Sequence, residues 1–185
     1  MQEQVVNLKL LSRFELSIEQ AADLYDAGSR AKQGWTASDK EILGNPYRLY
    51  EITRQHPEGV RLLTIDRGVF PDDTVRLLHP LDKPSGLESA ADLRRVRAFT
   101  LSALEKAATS GHTLLPLQHV VEAVQSVAVR PPCPVTGDML AARVKDMAPE
   151  IVPARINDGD GLQLDRYRAI GRHFRWQQTR SAFDA

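Results

Sequence analysis

The stretch Gly111-His112-Thr113-Leu114-Leu115-Pro116 separates two segments whose apolar residues recur at helical spacing. The segment before it covers about residues 88–110, and the segment after it covers residues 117–127. A glycine at the end of a helical pattern typically takes the left-handed conformation that terminates a helix. The sequence therefore predicts that Gly111 closes a long helix, that residues 112–115 form a short strand, and that a second helix follows.

A third helix and a hairpin are predicted further along the chain. Thr136 is a favourable N-cap residue, and the apolar pattern after it predicts a helix through Met147. The run Asn157-Asp158-Gly159-Asp160-Gly161 lies between two short apolar segments and is typical of a hairpin turn. Helix, short strand, helix, helix and two-stranded hairpin is the order of a winged helix, which we expect at residues 88–166.

The first part of the chain predicts several short helices. Ser17 followed by Gln20 is a capping-box pattern, and Thr36 is a candidate cap for the next helix. Asn45-Pro46 predicts another helix start, because asparagine caps well and proline suits the first helical position. Residues 60–70 are apolar and fit either a helix or a strand.

These patterns predict a mainly α-helical protein of the α+β class. Residues 79–86 read His-Pro-Leu-Asp-Lys-Pro-Ser-Gly, which is the composition of a linker. We therefore expect a helical-hairpin bundle at residues 1–80 and the winged-helix-like domain with its short β-hairpin after the linker. Residues 167–185 are predicted to form a basic helix or linker.

Composition excludes a strong general attraction to polyanions. The 185 residues contain 24 Lys and Arg and 24 Asp and Glu, so any contact with DNA must come from a local patch. The single cysteine, Cys133, cannot form an internal disulfide and suits a reducing compartment. Since no run of 18 apolar residues occurs, we expect a cytoplasmic protein that does not enter a membrane.

No constellation typical of catalysis is present in the sequence. A nucleotide-hydrolysing motor needs a Gly-rich loop followed by lysine, and no Gly-Lys pair occurs. The five histidines are not spaced as metal ligands, and Cys133 lies between prolines without a neighbouring base. Asp66-Arg67 is interpreted as a local salt bridge. We expect no catalytic residue, no cofactor, no metal and no small-molecule substrate for this chain.

Three ordered motifs resemble a known family. They are Gly44-Asn45-Pro46-Tyr47-Arg48-Leu49, Thr64-Ile65-Asp66-Arg67-Gly68-Val69-Phe70-Pro71 and the stretch at 111–116. Together they resemble the N-terminal accessory region of RecD-like superfamily 1 DNA helicases, which are similar to the exodeoxyribonuclease V alpha subunit. The resemblance covers about residues 17–127. It implies a non-catalytic module that engages DNA or docks on its own helicase motor, with ATP and Mg²⁺ bound only by that downstream motor.

The resemblance and the basic residues together predict candidate contacts with forked or single-stranded DNA. Arg30 and Lys32 lie in the segment Gly28–Gly34, a candidate phosphate-binding turn that lacks the tight Gly-x-Gly of a helix-hairpin-helix element. The His112 ring is expected either to bond a backbone carbonyl or to contact a phosphate. The remaining candidates are basic residues of the predicted helices: Arg48, Arg94, Arg97, Arg143, Lys145, Arg168, Arg172 and Arg175.

Two other functions remain open from the sequence. A stand-alone winged-helix transcription regulator would use residues 1–80 for effector binding or dimerisation. Its recognition helix would normally be basic, whereas here Arg143 and Lys145 are offset by Asp138 and Asp146. A protein-interaction domain without DNA binding would suit the neutral net charge.

Overall fold

The computed structural model describes residues 2–156 and 159–167. The chain is mainly helical with one small antiparallel sheet, so the predicted α+β class is confirmed. It divides into two compact units, Met1–Ala98 with Ala128–Cys133, and Phe99–Val127 with Pro134–Ala185. Among the described residues, no helix combines the length and the apolar character needed to cross a membrane.

Short helices build the first unit around a shared apolar core. Leu24, Ile42, Tyr47, Leu49 and Ile65 are all fully buried in it. In chain order the helices are α1 (Gln2–Leu11), α2 (Ile18–Tyr25), α3 (Ala27–Lys32), α4 (Asp39–Gly44), α5 (Arg48–Thr53), α6 (Leu62–Val69) and α7 (Asp73–Leu78), followed by the start of α8 (Leu93–Thr109).

The helix starts follow local capping. Ser17 and Gln20 form the predicted capping box of α2. The cap of α4 is Ser38 rather than Thr36. The Ser38 hydroxyl accepts from the Glu41 amide, and the Glu41 carboxylate accepts from the Ser38 amide, which completes a capping box. The predicted start at Asn45-Pro46 is early, since the Asn45 side chain accepts from the Tyr47 amide, at 3.2 Å, in a turn that precedes α5.

In three further segments the structure corrects or settles what the sequence suggested. Residues 2–11 form a helix, although the short apolar run at residues 5–14 is also compatible with a strand. The ambiguous residues 60–70 contain helix α6. Gly28 lies inside α3, whose cap Asp26 accepts from the Ser29 amide at 2.6 Å, so Gly28–Gly34 is not an open phosphate-binding turn.

Residues 79–86 lie within the first unit. Ser85 is buried, and its hydroxyl donates to the Leu43 carbonyl at 2.8 Å. The two compact units instead divide the chain within α8, after Ala98. Proline and glycine are common in packed loops as well as in linkers, so the composition of residues 79–86 does not by itself define a domain boundary. The division into separate domains at 1–80 and 88–166 stays a prediction.

The second unit contains the sheet. Its helices are the later part of α8, α9 (Leu117–Gln125) and α10 (Gly137–Arg143), which continues as a 3₁₀ turn at Val144–Met147. Strands β1 (Leu114–Pro116), β2 (Ile151–Ile156) and β3 (Gly159–Leu164) pair antiparallel in the order β1-β3-β2, and a 3₁₀ turn follows at Asp165–Tyr167.

The strand register confirms a hairpin of β2 and β3, although residues 159–161, predicted in its turn, belong to β3. The predicted short strand is present but covers Leu114–Pro116 rather than residues 112–115. Ile156 lies opposite Gly159 across the β2–β3 pair, and Leu115 lies opposite Leu162 across the β1–β3 pair. Thr136 caps α10 as predicted, through its hydroxyl and the Met139 amide at 3.2 Å.

Gly111 ends α8 as predicted. Its φ is +89°, and its amide donates to the Ala108 carbonyl at 3.0 Å. The next amide, that of His112, donates to the Ala107 carbonyl at 2.9 Å. This bond pattern closes a helix around a left-handed residue, a conformation that glycine adopts without a Cβ penalty.

Candidate functional site

The first two motifs of the family resemblance meet in a buried polar cluster. The Tyr47 hydroxyl donates to Asp66 Oδ1 at 2.6 Å. Arg95 donates from Nε to Asp66 Oδ1 at 2.7 Å and from Nη2 to Oδ2 at 2.9 Å. The local salt bridge predicted for Asp66-Arg67 is wrong, because the exposed Arg67 faces Glu15 at 3.8 Å while Asp66 is buried against Arg95.

Arg95 also ties a distant segment into the first unit. Its guanidinium donates to the carbonyls of Pro131 and Pro132 at 2.6 and 3.1 Å and to that of Ala90 at 3.2 Å, and it lies 4.8 Å from the centroid of the Phe70 ring. Burial by itself would lower the pKa of Arg95, but the hydrogen bonds and charge of Asp66 outweigh it and raise the pKa. The guanidinium of Arg95 therefore stays positively charged.

Burial and the neighbouring Asp66 carboxylate raise the pKa of Tyr47 well above its ordinary value. The phenol therefore stays a hydrogen-bond donor rather than an anion. A paired phenol buried in the core is a structural group.

The glycine of the second motif is required by packing. A Cβ placed on Gly68 would lie 2.4 Å from Phe14 Cδ1 and 2.7 Å from the Arg13 carbonyl oxygen. Helix α6 therefore approaches the residues that follow α1 so closely that only glycine fits. These motif residues hold the first unit together and do not form a surface site.

Arg30 is not a surface contact, which corrects its expected role. Its side chain is only 1% exposed. The guanidinium donates to the carbonyls of Leu24, Tyr25 and Ala37 and pairs with Asp39. A group buried in this way links the ends of α2 and α3 to the start of α4 and presents no surface to a phosphate.

Arg48 and Arg97 share the buried carboxylate of Glu51. Arg97 donates to Oε1 and Arg48 to Oε2, and the Glu51 side chain has no exposed surface. Arg97 is buried, whereas the Arg48 side chain is 26% exposed. Because both arginines neutralise a carboxylate that burial would otherwise penalise, their main contribution is structural.

Arg94 has a similar structural position. It pairs with Asp92 at 2.9 Å and donates to the carbonyls of Gly44 and Pro84, both at 2.8 Å, and of Gly86 at 2.9 Å. Burial would raise the pKa of Asp92, but the hydrogen bonds from Arg94 outweigh burial and lower it. Arg94 therefore fixes residues 84–86 against the end of α4.

Two exposed cations lie at the end of α10, and a third lies in the first unit. Arg143 and Lys145 are exposed as expected for the predicted recognition helix, and Lys32 is exposed at the end of α3. Arg143 Nε lies 3.1 Å from Asp146 Oδ2, and Asp138 is also exposed at the start of α10. The surface of α10 is therefore close to neutral, as its sequence indicated.

The last group of predicted contacts cannot be placed. Arg168, Arg172 and Arg175, together with the basic helix expected at 167–185, lie outside the described residues after Tyr167. Their role on DNA stays a prediction from the sequence.

His112 is exposed and lines a cleft in the second unit. The cleft has a volume of about 530 Å³ and lies between α8 and α9. Lys106 and His119 line it as well. It is the His112 backbone amide, and not the ring, that bonds a carbonyl and fixes the exit of α8. Sequence analysis missed His119, because only the turn at Gly111 brings the start of α9 alongside Lys106.

Cys133 is buried in the first unit. Burial raises the pKa of its thiol to about 11, and the charge of Arg95 offsets this only in part. A thiol with this pKa is almost entirely protonated at neutral pH and is a poor nucleophile. Within residues 2–156 and 159–167, no three metal-ligating side chains come together.

Comparison with protein-family models, with curated protein sequences and with solved structures found no match to this chain.

Proposed function

We propose that this chain is the non-catalytic N-terminal accessory region of a RecD-like DNA helicase, and that its second unit is a winged helix that engages DNA. The single observation that carries the DNA-engaging part is the connectivity of the second unit. Helix, strand, helix, helix and hairpin follow each other, and β1 pairs with the second strand of the hairpin. In helix-turn-helix proteins the second helix of the pair enters the major groove, and here that helix is α10.

The family part of the proposal is supported by how the motif residues are used. Tyr47, Asp66 and Gly68 belong to the first two motifs and are all buried in specific contacts. Gly111 of the third motif has the positive φ that explains why glycine is found there. Each motif thus has a structural role in this chain, which supports the proposal.

Direct DNA binding tests the proposal. Fluorescence anisotropy with a labelled forked DNA would be repeated from about 50 to 200 mM salt, where contact with about three phosphates predicts a log–log slope near −2 to −3. Replacing Arg143 and Lys145 with Gln removes two exposed charges next to α10 and should weaken binding and flatten that slope. Replacing Arg168, Arg172 and Arg175 together tests the DNA contacts predicted beyond Tyr167.

A matched control removes the same charge elsewhere. Lys40 and Arg61 are exposed in the first unit, so the double variant Lys40→Gln, Arg61→Gln should bind like the parent chain. An equal loss of DNA affinity in both double variants would mean that binding depends on net charge and not on a contact made by α10. Absence of binding at the lowest salt would overturn DNA engagement by this chain alone.

Docking on the helicase motor is the second candidate, favoured by one surface feature. Helix α7 exposes Val75, Leu77 and Leu78, with Leu77 at 83% and Leu78 at 70% exposure. Neighbouring apolar side chains on a surface helix are typical of protein contacts. A chain that fails to bind forked DNA but binds the separately produced motor, and loses that binding in Leu77→Asp, would establish docking.

A further inference from the structure

The cleft between α8 and α9 brings together three nitrogen-bearing side chains from separate elements. Lys106 comes from the last turns of α8, His112 follows the glycine that closes that helix, and His119 comes from the first turn of α9. All three residues are exposed. Since they lie on different elements, the tertiary structure and not local sequence creates the cluster.

The backbone around His112 is well fixed. Its amide bonds the Ala107 carbonyl at 2.9 Å, and two residues later β1 begins and pairs with β3, with Leu114 opposite Gln163. His112 therefore lies between a closed helix end and a paired strand. Such a position holds the ring at the cleft with little loss of backbone freedom on binding.

The described lining of the cleft contains hydrogen-bond donors and no acidic side chain. Besides the lysine and the two histidines, the Ser102 hydroxyl lines it, and no carboxylate of the described residues does. The hydroxyls of Ser110 and Ser126 also line the cleft but donate to the carbonyls of Lys106 and Ala123, at 3.4 and 2.8 Å. In a chain with equal numbers of acidic and basic residues, this is a local excess of positive and donor groups. Lysine, histidine and serine are groups that donate to phosphate oxygens.

The carboxylates nearest in sequence are directed to other partners. Glu105, next to Lys106, lies 3.4 Å from Arg166, and Glu122 accepts from the Gln118 amide at 3.0 Å. Neither residue lines the cleft. The charge of Lys106 is therefore not offset by an acidic group at the cleft itself.

The shape and the remaining lining suit a nucleotide unit. The volume of about 530 Å³ falls within the range of about 300–1,000 Å³ found for ligand sites. Apolar atoms of Ala103, Ala107 and Leu115 line the rest of the cleft and could pack against a sugar or the face of a base.

We propose that this cleft binds a backbone phosphate of single-stranded DNA, with Lys106, His112 and His119 as its ligands. The choice of DNA as the source of the phosphate rests on the proposed function, whereas the chemistry of the cleft does not. None of the exposed cations of α10 lines this site. The contact with the DNA strand would be made by residues of α8, α9 and the turn between them.

The binding test uses the full chain, a labelled oligothymidylate and the variants Lys106→Gln, His112→Gln and His119→Gln. Loss of one charge-assisted contact should weaken binding about tenfold. Lys40→Gln, an exposed charge of the first unit, is the matched control and should leave affinity unchanged.

Each failure has its own meaning. If oligothymidylate binds equally well to all three cleft variants, the cleft proposal is overturned and DNA engagement stands. If DNA does not bind at all, the proposed function fails, and the cleft is tested with inorganic phosphate alone. Ring resonances of His112 and His119 should then shift in NMR spectra with phosphate but not with chloride, while His56 stays unchanged. Absence of that shift would overturn the phosphate site in any form.

Discussion

Arg95 and Asp66 form an ion pair with two hydrogen bonds, of 2.7 and 2.9 Å, in which neither side chain has exposed surface. The pair joins α6 to α8 across 29 residues of sequence. A buried charge is tolerated only when its partner is present and its other hydrogen bonds are made. The carbonyls of Ala90, Pro131 and Pro132 accept further hydrogen bonds from Arg95.

Removing Arg95 should be strongly destabilising. In Arg95→Met the Asp66 carboxylate keeps only its bond from Tyr47 among these contacts, so the free energy of unfolding should fall by about 3–5 kcal/mol. Urea denaturation followed by circular dichroism measures the loss. Arg67→Met is the control, because Arg67 is adjacent in sequence to Asp66 but 69% exposed, and it should change stability by less than about 0.5 kcal/mol. Similar effects in the two variants would contradict the buried-pair interpretation.

The Tyr47 hydroxyl can be tested with a change of one atom. Tyr47→Phe removes a 2.6 Å bond to Asp66 in the core and should cost about 1–3 kcal/mol, because a buried carboxylate loses a donor. Tyr25→Phe makes the same change at a side chain that is 39% exposed, and its unfolding midpoint should not move. An unchanged midpoint for Tyr47→Phe would mean that water replaces the hydroxyl.

Gly68 should reject even a methyl group. Its Cβ would meet the Phe14 ring at 2.4 Å and a backbone oxygen at 2.7 Å, so Gly68→Ala should destabilise the chain by about 1–3 kcal/mol. Gly44→Ala is the matched change, since a Cβ there meets nothing within 4 Å. Thermal unfolding of both variants compares them, and a higher midpoint for Gly68→Ala than for Gly44→Ala would refute the packing argument.

Alkaline pH should destabilise the chain partly through Cys133. The folded thiol has a pKa of about 11 against an ordinary value of 9.0, so the unfolded chain ionises first. Stability is therefore present below pH 9 and is lost as pH rises toward 11, with about 1 kcal/mol lost by pH 10. Cys133→Ala should show a shallower decline in denaturant-measured stability over the same range. Parallel declines in the two proteins would exclude this contribution.

Several elements could be predicted from local sequence because local bonds produce them. The capping box at Ser17, the cap at Thr136, the glycine stop at Gly111 and the hairpin of β2 and β3 all depend on residues close together in the chain. The start of α4 was displaced by two residues, because Ser38 and Thr36 are both good caps and only Ser38 has Glu41 three positions later.

The roles of the arginines could not be read from sequence. Arg30, Arg94 and Arg97 were expected to contact DNA, but their partners are carbonyls and carboxylates, several of them tens of residues away. A basic residue on a helix has the same local pattern whether it faces solvent or a buried acid. Only long-range packing separates the two cases.

The sequence by itself determined the α+β class, the order of helices and strands in the second unit, and the absence of a phosphate-binding loop with its lysine. These follow from periodicity, caps and turns, which act over a few residues. The tertiary structure alone decided that Asp66 pairs with Arg95 rather than Arg67, and that Lys106, His112 and His119 meet at one cleft. Such contacts depend on how helices pack, since burial sets which charges must pair and which stay free to bind a ligand.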